Sequence, residues 1–101
     1  MADTYDFDRF LRYDELMAWI DDLATEHPEL VTVETYGQSH EGRDLRLVTV
    51  TDEATGSHDT KPAHWIDANV HSVELTASVA ACRVLQHLVE GFVSGDEHVT
   101  R

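Results

Sequence analysis

Seven histidines in a chain of 101 residues set the first chemical question. Neutral imidazole is a good ligand for zinc, and carboxylate oxygen is another. His-x-x-Glu occurs twice, at His71–Glu74 and at His87–Glu90. So short a spacing arises readily by chance, and position has to separate the two pairs. His87 and Glu90 fall late on the wet side of a predicted helix and read as an exposed polar pair. His71 and Glu74 straddle the predicted junction between a buried strand and a helix. In open α/β sheets, ligands bind outside the carboxyl ends of strands. There the last strand residue and the first helical turn can face one crevice. On the residues alone two readings stand. One is part of a divalent metal site. In the other, Glu74 complements the helix N-terminus beside a satisfied histidine.

Other candidates carry less. His58 and His64 bracket a polar loop and read as solvated, His27 ends a helix, and His98 lies in the tail. Ser39 follows Gly37-Gln38, but Glu41 stands where a nucleophile elbow needs glycine. Cys82 lies inside a predicted helix without an activating neighbour and reads as packing. It is the only cysteine, which excludes an intrachain disulfide and a Cys-based zinc knuckle. Met17, Trp19 and Trp65 read as core. No glycine-rich phosphate loop is present.

These groups need elements to hold them. Residues 1–12 read as an irregular lead-in, 13–93 as the folded part, and 94–101 as a tail that frays. Over residues 14–26, Leu16, Trp19, Ile20 and Leu23 fall at helical spacing, and His27-Pro28 stops the helix. Residues 30–36 and 44–51 read as strands joined by the turn Gly37-Gln38-Ser39-His40-Glu41-Gly42. A polar loop spans 52–62, and 64–70 reads as a third, more buried strand. Residues 75–92 form the second predicted helix, with Ala81, Val84, Leu85 and Leu88 as its apolar stripe and Gly91 as its stop. The fold class is therefore α/β, with a partial mixed sheet of about three strands, a hairpin plus a buried strand, flanked by two helices.

Composition narrows the function. The chain carries 20 acidic and 7 basic side chains, a formal charge of -13, and Lys61 is its only lysine. Phosphate binding needs a basic surface, so a nucleic-acid binder is excluded, and so is docking on an anionic membrane. Such an acidic excess suits a high-salt cytosol. The longest apolar run, residues 16–20, is far short of a membrane span. The first residues lack a basic region and an apolar region, so the expectation is a cytoplasmic chain without a secretory signal. A hydrophobic content of 42% supports a globular core.

Taken in order, these segments resemble the N-terminal part of a zinc metallocarboxypeptidase of the carboxypeptidase A/B type. The likeness runs over roughly residues 5–95. It rests on the helix ending in His27-Pro28, on Tyr36-Gly37-Gln38-Ser39-His40-Glu41-Gly42-Arg43, and on Lys61-Pro62-Ala63-His64-Trp65-Ile66-Asp67-Ala68-Asn69-Val70-His71-Ser72-Val73-Glu74. The second is similar to the family's Gly-x-Ser-x-Glu-Gly-Arg turn, the third to its strand and His-x-x-Glu element. The resemblance implies a carboxypeptidase-like α/β/α fold, with His71 and Glu74 as two of three protein ligands to a catalytic Zn2+. Carboxypeptidase A is itself a standing example of a His₂Glu zinc site, so the ligand set comes from the family and not from the spacing.

It also implies peptide or protein C-termini as substrate. Val73 stands where digestive members often carry arginine, so that substrate contact is not carried over, and Asn69 stands where many relatives have glycine. The family's third ligand, its carboxylate-binding Asn-Arg pair and its glutamate base lie further along than Arg101. No family motif surrounds His87, Glu97 or His98. The expectation is a truncated domain, inactive alone and made without an activation domain. The alternatives are a zinc amidohydrolase of acylated amino acids and a nonenzymatic acidic remnant.

Overall fold

A computed structural model describes residues 5–100. Helix α1 spans Tyr13–Glu26 and buries Trp19, Ile20 and Leu23, three members of the expected stripe. Its start is held by Glu15. That carboxylate accepts the Arg12 backbone N–H at 3.0 Å and the Arg9 guanidinium at 3.0 Å. One otherwise unpaired donor near the helix entry is thereby satisfied. At the other end the His27 N–H bonds the Leu23 carbonyl at 3.0 Å. The lead-in 5–12 holds no helix or strand, yet Tyr5 is buried, with its ring 4.5 Å from that of Phe7 and 5.9 Å from that of Trp19.

Strands β1 (Val31–Gln38) and β2 (Asp44–Val50) pair antiparallel, with Val31 opposite Val50 and Val33 opposite Val48. These valines pack toward the α1 core. The connecting turn is closed by Ser39 N–H to Arg43 O at 2.7 Å and Gly42 N–H to Ser39 O at 2.9 Å. Gly42 has φ +81°, a conformation side chains resist. The Ser39 hydroxyl accepts the Arg43 N–H at 3.1 Å, so it serves the turn. Two contacts lock the hairpin to α1: Tyr13 Oη donates to Asp44 O at 2.9 Å, and Arg46 reaches Asp21 at 2.7 Å.

The polar loop is ordered by two short 3-10 turns, Glu53–Thr55 and His58–Thr60. Lys61 Nζ ties it down, donating to Thr51 Oγ1 at 2.8 Å, Asp52 O at 2.9 Å and Thr55 Oγ1 at 2.7 Å. Beyond it the expected third strand does not form. Residues 62–69 have no strand structure, and the sheet has two strands, β1 and β2. A strand is defined by its hydrogen-bonded neighbour, and among the described residues none pairs with this segment. Trp65 is consequently 70% exposed and outside the core, its indole N–H donating to Asp67 at 2.7 Å.

Helix α2 spans Leu75–Ser94. Its buried stripe is rotated from the expected one. Cys82 and Val89 are buried, Leu85 and Phe92 pack beside them, and Val84 is exposed. Gly91 does not stop the helix. Gly95 does, with φ +76° and its N–H on Phe92 O at 3.2 Å. A short helix α3 (Glu97–Thr100) occupies the tail expected to fray, and Val99 lies over Gly91. The α/β arrangement thus holds, with a smaller sheet. No helix among the described residues is long and apolar enough to cross a membrane.

Candidate metal centre

The link into α2 brings His71 and Glu74 together. Asn69 has φ +64°, and the Glu74 N–H then closes on His71 O at 2.9 Å. Glu74 occupies the cap position of α2, but its side chain makes no hydrogen bond to the first helical N–H groups. It turns back instead, and His71 Nδ1 lies 2.8 Å from Glu74 Oε1. A carboxylate only accepts, so this is a hydrogen bond in the tautomer that carries its proton on Nδ1. Both side chains are open to solvent, at 73% and 55% exposure.

Two ligand atoms about 2.0–2.1 Å from one tetrahedral zinc lie about 3.3 Å apart. Opening the 2.8 Å contact by about half an ångström meets that requirement. The donor set also suits zinc, with one imidazole nitrogen, one carboxylate oxygen and free access for water. Among the described residues no group of three or more His, Cys, Asp or Glu side chains assembles that could hold a metal. The pair therefore brings two groups of ligand type together, without a third among the described residues.

The second pair does not converge. Glu90 accepts from Gln86 Nε2 at 2.7 Å, and His87 is exposed. His58 sits 3.2 Å from Asp59 and 3.8 Å from Glu53 in the polar loop, and His27 sits 3.9 Å from Glu29. Cys82 is buried, and burial pushes its thiol up to about 11, the opposite of what a nucleophile or a metal ligand needs.

Asn69 is the residue whose place in this site the spacing of ligands did not announce. The available signal was the residue type itself, since asparagine is among the few residues other than glycine that take a positive φ.

The family model described as zinc carboxypeptidase matches residues 16–101. Carboxypeptidase B of Astacus astacus is 35% identical over 92 residues, covering 91% of this chain and 29% of that protein. Carboxypeptidase A1 of Bos taurus is 35% identical over 73 residues, 72% of this chain and 16% of the relative. Zinc carboxypeptidase A 1 of Drosophila melanogaster is 28% identical over 87 residues, 85% of this chain and 20% of the relative. The chain spans less than a third of the length of these relatives. Helix, hairpin turn and His-x-x-Glu link follow in one order within the matched region, and the chain belongs to the zinc carboxypeptidase family.

Proposed function

We infer that His71 and Glu74 supply two protein ligands to a catalytic zinc in a metallocarboxypeptidase that removes C-terminal residues from peptides. The observation that carries this reading is the 2.8 Å approach of the two donor atoms, inside the segment matched to zinc carboxypeptidases. A zinc ion bound there would lower the pKa of water and polarise a peptide carbonyl. The chain's own part is to present an imidazole and a carboxylate on one side of a turn, with the carboxylate kept off the helix end. Its solvent exposure leaves room for a substrate to approach.

Catalytic zinc sites take three protein ligands, and this pair provides two. By itself the 101-residue chain is therefore expected to bind zinc weakly and to release no C-terminal residue. Calorimetric titration with zinc tests the first part. His71→Ala and Glu74→Gln should each weaken binding at least roughly tenfold, while His87→Ala leaves it unchanged. Equal zinc affinity in all three variants and the unaltered chain would remove the assignment. Zinc-dependent shortening of a test peptide, read by mass spectrometry, would refute the expected inactivity.

A further inference from the structure

We propose that Asn69 is the positioning residue of the His71–Glu74 pair, its side-chain amide tying the carbonyls of both residues into one turn. What the turn holds rests on the zinc reading above, and how it is held rests on Asn69's own geometry. Asn69 sits at φ +64°, in the left-handed region that residues other than glycine rarely enter. Asparagine enters it most readily, because its short polar side chain bonds locally.

That side chain is half-buried and the end of its amide faces two carbonyl oxygens, so the hydrogen-bonding pattern assigns the amide nitrogen, not the oxygen, to that end. In that orientation Nδ2 donates to His71 O at 2.9 Å and to Glu74 O at 3.1 Å. Two hydrogens meet two acceptors. Each carbonyl is shared with the backbone: His71 O also accepts the Glu74 N–H, and Glu74 O accepts the Ala77 N–H that starts α2. The amide therefore joins the turn to the first turn of the helix. With both carbonyls held, the two side chains leave the backbone toward one side.

The residue type is specific to this task. Glycine supplies the positive φ and no donor. Aspartate tolerates the same φ and places an acceptor against two acceptors. Partners of this kind, one step outside the ligands, commonly set metal affinity by 10–100-fold.

Two measurements on the intact chain test the proposal. The first is hydrogen exchange of the Glu74 backbone amide, followed by NMR without metal. The second is zinc affinity by calorimetry. Asn69→Gly should speed Glu74 exchange by roughly tenfold and weaken zinc binding by about 10–100-fold. Asn69→Asp should do more of both. His71→Ala should abolish the zinc effect and leave Glu74 exchange as it was, because the carbonyl at position 71 remains. Unchanged Glu74 exchange in Asn69→Gly overturns the proposal, whatever zinc does. An unaltered chain that binds no zinc removes the assignment made under Proposed function, and the exchange measurement still decides the role of Asn69. If the variants do not fold, the side-chain amide protons of Asn69 in the unaltered chain decide it. Exchange as fast as in a free asparagine overturns the role, and slowed exchange supports it.

Discussion

Cys82 packs against the α1 core, and desolvation pushes its thiol from an ordinary 9.0 up to about 11. The folded state holds this proton more tightly than the unfolded state. Its contribution is therefore complete below pH 9 and is lost as pH rises toward 11. The melting temperature should fall across that window, and less steeply in Cys82→Ala, as calorimetric scans would read. The native thiol should also resist alkylation at neutral pH and react once the chain is unfolded in urea. Glu15 works in the other direction. The Arg12 N–H, and after it Arg9, hold its carboxyl below the usual range. That contribution is present above the ordinary carboxylate pKa and is lost as pH falls through the lowered one. At this scale the sequence was informative about His71 and Glu74, since three residues of spacing can place two donors on one turn. For Asn69 it offered only a residue type that tolerates positive φ, and the residue's place in the turn depends on a dihedral angle and on two carbonyls that only the folded chain supplies.

Helix α2 carries the element-scale test. At Gly91 an added Cβ would collide with Val99 of α3. In an open helix interior, Gly→Ala gains up to about 1 kcal/mol. Gly91→Ala should therefore destabilise the chain while Val99 is present, and stabilise it in a Val99→Ala background. Denaturant titration of the two singles and the double gives that sign change. Gly95→Ala meets no neighbour, but its φ of +76° remains, and a cost of about 1 kcal/mol is expected. Gly91 was the expected stop, and Gly95 is the observed one. Which one serves is decided by α3 docking on the first, and docking is not encoded in the local pattern. The rotated stripe has the same origin. Valines and leucines ring much of α2, so the face that is buried depends on where α1 lies. The expected strand 64–70 is the sharper case, because its apolar residues announced a strand that no neighbour among the described residues completes. Acrylamide should quench Trp65 freely and Trp19 poorly, given exposures of 70% and 8%. Comparison of Trp65→Phe with Trp19→Phe separates the two signals.

At the scale of the whole molecule, a formal charge of -13 sets the response to salt. Like charges repel across the surface, and the repulsion is screened over about 10 Å at 0.1 M salt, and over less as salt rises. Melting temperature should climb with potassium chloride well beyond 0.1 M, and a flat or falling profile in thermal scans would contradict the electrostatic account. The sequence by itself determined what depends on neighbours along the chain. This includes the amphipathic face of α1, its stop at His27-Pro28, and the hairpin turn around Gly42. Those features need only covalent spacing and backbone sterics. Tertiary structure alone decided which apolar residues are covered, which glycine ends α2, and that 62–69 finds no strand partner among the described residues. Each of those outcomes depends on groups distant in the chain, and a distant partner leaves no periodic trace in the residues it covers.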